Sequence, residues 1–235
     1  MAFIERVRML AVVTAIAVIA LLAVPGTGWS QHRQHGEGQA GGGHGHRFDD
    51  PAEWSKRFDD PARDEWQKPD EVIRALALEP AHIVADIGAG TGYFTVRLAR
   101  AVPSSLVFAV DVEPKMARHI AERARTERLA NVRTVVGSAA SANLPQPVDR
   151  VLLVNSYHHI DERTAYFRDL RESLRPGARV AIIDYRPDAP RGSPKHMRMA
   201  PEKIAAEMKE AGYRLVEAFD FLPLQTYQIF EAASP

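Results

Sequence analysis

The chain has 235 residues, and its 30 Lys and Arg balance its 30 Asp and Glu, so no bulk charge argues for nucleic acid or an anionic membrane. It contains no cysteine, which excludes disulfides, thiolate zinc sites, a cysteine nucleophile and a lipidated cysteine. Hydrophobic residues make up 46% and charged residues 26%, values normal for a globular protein with one core.

At the amino terminus, Arg6 and Arg8 precede the apolar run Met9 to Val24, which Pro25-Gly26 breaks before Gly28-Trp29-Ser30. A basic region, an apolar stretch and small residues form the grammar of a secretory signal. Residues 1–30 are therefore expected to direct export to a periplasmic or other extracytoplasmic space, with cleavage after Ser30. The alternative is a retained anchor tethering the chain to the inner membrane through residues 9–24. The run is somewhat shorter than the roughly 20 residues of a spanning helix.

Residues 31–46 are dominated by Gly and His and nearly lack apolar side chains, the composition of a flexible linker. His32, His35, His44 and His46 are able to ligate zinc, copper or nickel. No spaced carboxylate or thiolate completes a closed site, so the segment reads as a solvated tether and no metal is assigned. An internal echo follows in Arg47-Phe-Asp-Asp-Pro-Ala-Glu-Trp54 and Arg57-Phe-Asp-Asp-Pro-Ala-Arg-Asp-Glu-Trp66. Each Asp-Asp-Pro predicts a helix start, with Asp as N-cap and Pro in the first turn. Residues 47–68 then form an aromatic helical arm, with Phe48, Trp54, Phe58 and Trp66 as packing anchors. Aromatics so placed more often pack than cage a ligand; Trp66 and Gln67 are the exceptions, because they lie directly ahead of the main domain, 69–235.

Periodicity predicts helices over 70–78, 92–101, 114–128, 161–174 and 201–211, and strands over 83–87, 106–110, 132–136, 150–154, 178–184, 213–219 and 226–231. Such alternation predicts an α/β fold: a doubly wound, seven-stranded, mostly parallel sheet. Too few residues separate the last two strands for a crossover helix, so the last strand must run antiparallel.

Ligands of such sheets bind beyond the carboxyl ends of the strands, where strand order reverses. The first strand runs from Asp86-Ile87 into Gly88-Ala-Gly-Thr-Gly92, whose glycines allow a tight turn and close approach to a ligand. The second strand ends at Asp111, 23 residues after Gly88, where a carboxylate can accept from both ribose hydroxyls. Nicotinamide sites use an acid the same way. Here the spacing is G-x-G-x-G, Asp86 would suit a cationic amino acid tail, and an antiparallel closing strand is foreign to the dinucleotide fold.

Asp86-Ile-Gly-Ala-Gly-Thr-Gly-Tyr-Phe-Thr95 resembles the first motif of class I S-adenosylmethionine-dependent methyltransferases. Asp111 resembles their second-strand acid, and Gly137-Ser-Ala139 with Leu144-Pro145 their third motif. Asp149 to His159 resembles the fourth-strand segment, and Leu174 to Asp184 the approach to the fifth. The likeness covers about residues 66–231. It implies a Rossmann-like methyltransferase fold and S-adenosyl-L-methionine as cofactor. Gly88, Gly90 and Gly92 would pack under the methionyl part, and Asp86 would orient its ammonium. Asp111 would hold the ribose, Val112 or Glu113 would border the adenine, and Ser138 and Ala139 would sit by its amine. Asn155 would line the methyl-transfer face. Ser138 stands where many relatives carry Asp, which weakens that contact.

Methyl transfer is an in-line displacement needing alignment and, for some acceptors, a base. His158 and His159 follow the fourth strand and are the candidate catalytic residues; the alternative is that they merely pack the loop. Asn155-Ser-Tyr-His differs from the Asn-Pro-Pro-Tyr of amino-group methylases of DNA and glutamine, so a small-molecule acceptor is expected. The basic loop 186–199, with Arg191, Lys195, His196 and Arg198, reads either as a lid for an anionic substrate or as a solvated loop. Two other functions stay open: a cofactor-binding sensor or scaffold without transfer, and a nicotinamide oxidoreductase.

Overall fold

The computed structural model describes residues 50–233. The expected signal or anchor segment, the Gly/His linker and Phe48 lie outside the described residues. Among those described, no helix is long and apolar enough to cross a membrane.

The arm holds α1 (Pro51–Phe58) and α2 (Arg63–Gln67). Asp50 Oδ1 accepts from Ala52 N at 3.1 Å and Glu53 N at 3.3 Å, and Pro51 opens the helix, as the first Asp-Asp-Pro predicts. The second repeat differs: Asp60 caps only a turn, through Ala62 N at 2.9 Å, and α2 begins two residues after Pro61.

Beyond the arm come α3 (Pro69–Ala75), β1 (Val84–Ile87), α4 (Tyr93–Ala101), β2 (Val107–Asp111), α5 (Pro114–Thr126), β3 (Val132–Val136), β4 (Val148–Val154), α6 (Arg163–Leu170), β5 (Leu174–Tyr185), α7 (Pro201–Glu210), β6 (Tyr213–Phe219) and β7 (Gln225–Ala232). The sheet order is β3-β2-β1-β4-β5-β7-β6. Pairings from β3 through β5 are parallel, and β7 lies antiparallel between β5 and β6. This is the expected doubly wound, seven-stranded sheet with an antiparallel last strand.

Every residue of β1 and β2 is buried, as strands covered on both faces require. Successive residues point to opposite faces, and the strands divide accordingly. Leu152, Ile183 and Tyr227 pack with Val72, Leu98 and Ile120 of α3, α4 and α5. Leu153, Ile182 and Phe230 pack with Phe167 and Ile204 of α6 and α7.

The predicted helix over 161–174 is shorter than expected. α6 stops at Leu170, a single 3-10 turn follows, and β5 already begins at Leu174. Arg175 precedes Pro176, which disfavours helical backbone, and Leu174 pairs with Val148 ahead of a bulge. Similarly, α3 ends at Ala75 rather than 78, with Ala77 at φ 47°.

Strand order reverses between β1 and β4. The loops after β1, β2, β4 and β5 therefore converge at one edge of the sheet.

Candidate functional site

A cavity of about 360 Å³ opens at that edge. At one end lies the glycine turn. Gly88 has φ 71° and Gly90 φ 58°, the left-handed region that disfavours any Cβ. A Cβ on Gly88 would lie 2.2 Å from Ser156 Oγ. The turn is anchored to β2, because Gly88 N and Ala89 N both donate to Val110 O, at 2.9 and 3.0 Å.

Asp111 ends β2. Its Oδ2 accepts from Gly90 N at 2.8 Å and its Oδ1 from Glu113 N at 2.9 Å. The carboxylate thus clamps the turn while each oxygen keeps lone pairs for a ligand. Burial pushes its pKa up, and those backbone N–H groups oppose the shift. Asp86 is 3% exposed and accepts from Thr95 Oγ1 at 2.6 Å. Burial pushes its carboxyl up to about 6; the Thr95 hydrogen bond opposes the rise and nearby Asp111 adds to it.

Asp86, Gly88, Gly90, Asp111, Val112, Ser138, Ala139, Asn155, His158 and His159 all line this cavity. Gly92 does not, contrary to its expected place under the methionyl part. Its φ of 87° makes it the N-cap of α4, and a Cβ there would meet Ile120 at 3.4 Å. Val112, 57% exposed, presents an open apolar surface past β2, whereas Glu113 contributes its backbone N–H to Asp111. Ser138 turns its hydroxyl inward on its own loop, accepting from Ser141 N at 3.0 Å.

At the other end lie the residues following β4. Asn155 adopts φ 56°, and its N donates to Ile183 O at 2.8 Å. His158 Nδ1 lies 2.8 Å from both oxygens of Asp184, a carboxylate with 0% exposure. A carboxylate only accepts, so Nδ1 carries the hydrogen, and in the neutral ring the lone pair then sits on Nε2. His159 is exposed and its ring centroid lies 4.2 Å from that of His158. His158 is thus fitted with an orienting acid.

The sequence reading missed several contributors. It took Trp54 and Phe58 as packing anchors and excepted only Trp66, yet all three line the cavity. Arg63 lines it too. Its Nη1 donates to Phe58 O at 2.9 Å, its guanidinium stacks 3.9 Å from the centroid of Tyr93, and its buried Nε has no partner. No ion pair forms with Arg63 among the described residues, and burial lowers its pKa. Of the basic loop, Arg191 lies 5.6 Å from the Trp66 ring. His196 and Arg198 line a second recess beside His158 and His159, and Lys195 lines neither.

The comparisons agree with this architecture. Residues 84–177 match the family model described as a methyltransferase domain. The chain is 24% identical over 146 residues to an uncharacterized methyltransferase, YdaC, of Bacillus subtilis, covering 62% of this chain and 78% of that one. It is 28% identical over 156 residues to an arsenite methyltransferase of Halobacterium salinarum, covering 60% of this chain but only 39% of that protein. A crystal structure of a SAM-dependent methyltransferase from Aquifex aeolicus superposes with a TM-score of 0.70 at 24% identity, covering 77% of this chain and 98% of that one. The fold is that of Rossmann-like methyltransferases.

Proposed function

We propose that the chain is an S-adenosylmethionine-dependent methyltransferase acting on a small-molecule acceptor. The observation that carries this reading is Asp111, buried at the tip of β2, clamping a left-handed glycine turn while facing the cavity. That arrangement suits a neutral nucleoside held by hydroxyl-to-carboxylate hydrogen bonds. Val112 offers the apolar surface a purine ring needs. Asp86 fits an ammonium, and Arg63, which forms no ion pair among the described residues, a carboxylate, so the two ends of an amino acid tail both find opposite charge.

The bound cofactor would supply an activated methyl group on a sulfonium. The chain would supply alignment and proton handling. Asn155 borders the transfer face, and His158, held by Asp184, accepts a proton at Nε2. Trp54, Phe58 and Trp66 give the same space aromatic walls.

Isothermal titration of the full chain tests the reading. S-adenosylmethionine should bind with a one-to-one stoichiometry, and a nicotinamide dinucleotide should not. Asp111→Ala should weaken binding by about 1–3 kcal/mol through lost charge-assisted hydrogen bonds. Unchanged affinity would sink the ribose assignment, and binding without turnover across a broad acceptor panel would favour a sensor or scaffold.

A further inference from the structure

We propose that the acceptor is a small molecule carrying one carboxylate, which Arg198 holds in the recess beside His158 while the reacting atom lies in the main cavity. The carboxylate is a handle and not the group that is methylated. The proposal rests on the methyltransferase reading and names the substrate class of that site.

His158, His159 and Met197 line both the main cavity and the recess. The two spaces are therefore neighbours across the candidate base, and a molecule reacting beside His158 needs only a short extension to enter the recess. Three arginine and lysine side chains line it, Arg163, Arg198 and Lys203. Arg163 is already paired: its Nε donates to Glu207 Oε2 at 2.7 Å and its Nη1 to Ile160 O at 2.7 Å. Lys203 stands exposed at the rim, 4.0 Å from the same Glu207. Arg198 differs from both. It is partly buried, its Nε donates to Ser193 O at 2.7 Å and its Nη1 to Ala189 O, and it forms no ion pair among the described residues. Neutral carbonyls orient a guanidinium without cancelling its charge, and drawing that charge partly out of water without a counterion is unfavourable. Its Nη2 makes no hydrogen bond among the described residues.

Both carbonyls that hold Arg198 belong to the 186–199 loop, so the loop is folded round its own guanidinium rather than solvated. Ser193 adds a second, independent sign of a ligand. Its Oγ is buried with no hydrogen-bond partner among the described residues, on a residue lining the main cavity. Buried polar groups are normally paired, so one loop presents an unpaired hydroxyl to the cavity and an uncompensated cation to the recess. The charge balance then selects the anion. Glu207 and Asp161, which also faces the recess, offset Arg163 and Lys203, leaving the single positive charge of Arg198. That suits a carboxylate better than a phosphate monoester, which carries about 1.5 to 2 negative charges at neutral pH.

NMR titration of the full chain loaded with S-adenosylhomocysteine, using benzoate, phenyl phosphate and the neutral benzamide, tests this. Benzoate should bind about tenfold or more tighter than benzamide, the gain expected of a hydrogen bond to a charged group, and at least as tightly as phenyl phosphate. The largest benzoate-induced shifts of backbone amides should fall on Ser193 and Arg198. Arg198→Gln should bring benzoate to parity with benzamide and leave benzamide affinity unchanged, whereas Arg198→Lys, which keeps the charge, should retain part of the preference. Equal binding of benzoate and benzamide to the unaltered protein overturns the proposal, and so do benzoate shifts confined to Arg63 and the glycine turn. Tighter binding of phenyl phosphate at the same amides overturns the carboxylate assignment. If Arg198→Gln weakens benzamide as well, the amide shifts of the unaltered protein decide. Failure to bind S-adenosylhomocysteine would instead overturn the cofactor reading. The same titration of the unloaded chain then decides this proposal, because the shifts distinguish Arg198 from Arg63.

Discussion

The two ends of the cavity are built in different ways. At the carboxyl ends of β1 and β2, the glycine turn, Asp86, Asp111 and Val112 come from 27 consecutive residues, 86–112, and hold one another through backbone groups. At the carboxyl ends of β4 and β5, the wall takes Trp66 from the arm, Asn155 and His158 from one loop, Tyr185 from the tip of β5 and Met197 from the loop after it, and draws on Gln225 of β7 behind them. The first end is backbone with strained dihedrals and admits few side chains. The second is side chains positioned by other side chains, and can change its reader without disturbing the turn.

If that contrast is real, damage at the second end should strike turnover and spare cofactor affinity. His158→Ala should lower kcat by about 10²–10⁴-fold, the usual range for a lost general base, with cofactor Kd moving less than about twofold. Asp184→Asn should lower kcat by at least about tenfold, because the imidazole loses the partner that fixes its tautomer. Rates and Kd measured on the same preparations decide it. Equal losses in both would mean that the His158–Asp184 pair only supports the fold.

Damage at the first end should do the reverse, striking fold and affinity together. In Gly88→Ala the new Cβ would lie 2.2 Å from Ser156 Oγ at a φ of 71°. The collision and the left-handed backbone together should cost about 2–4 kcal/mol, seen in urea unfolding, with cofactor binding lost. Gly177→Ala is the control: φ is 77° but nothing lies within 4 Å of the added atom, so only the backbone term of about 1 kcal/mol remains. Equal costs for the two would show that Ser156 yields and that the turn is less constrained than its contacts indicate.

The same contrast governs how much the sequence discloses. Sheet class, strand count and the antiparallel β7 follow from apolar runs and connection lengths, which are local. So do Gly88, Gly90, Asp86 and Asp111, because a turn that needs positive φ leaves glycines in place and a strand tip leaves its acid. The run of hydrogen bonds Arg63–Gln67–Gln225–Asn155 is invisible to such reading, since 158 residues separate Gln67 from Gln225; Gln67 draws notice by its place ahead of the domain, but Gln225 does not stand out in its segment. His158 and His159 are adjacent and alike in sequence; only the fold brings Asp184, 26 positions away, to one of them. Gly92 shares the spacing and the positive φ of its neighbours, and its φ also serves the start of α4. Boundaries slipped where a proline or a bulge overrode periodicity, as at Pro176.

The smallest effect, and the one that links the first end to pH, belongs to Asp86. Its carboxyl sits near 6, above the ordinary value of 3.8, because it is buried. A folded-state acid whose pKa is raised binds its proton more tightly than the unfolded chain does, so stability falls as pH rises from about 4 to about 6 and stays lower above that. A shift of this size corresponds to roughly 1–3 kcal/mol. Asp86→Asn keeps an acceptor for the Thr95 hydroxyl and removes the buried charge. The variant should therefore match the unaltered protein at pH 4 and exceed it in urea unfolding at pH 7.5. Cofactor affinity should move the other way. The proposed ammonium favours the ionised carboxylate, so affinity should strengthen as pH rises from 5 to 7, and Asp86→Asn should abolish that dependence. Stability curves that run parallel for the two proteins from pH 4 to 7.5 would show that Asp86 keeps an ordinary pKa. Affinity that is flat with pH in both would remove the ammonium from its side.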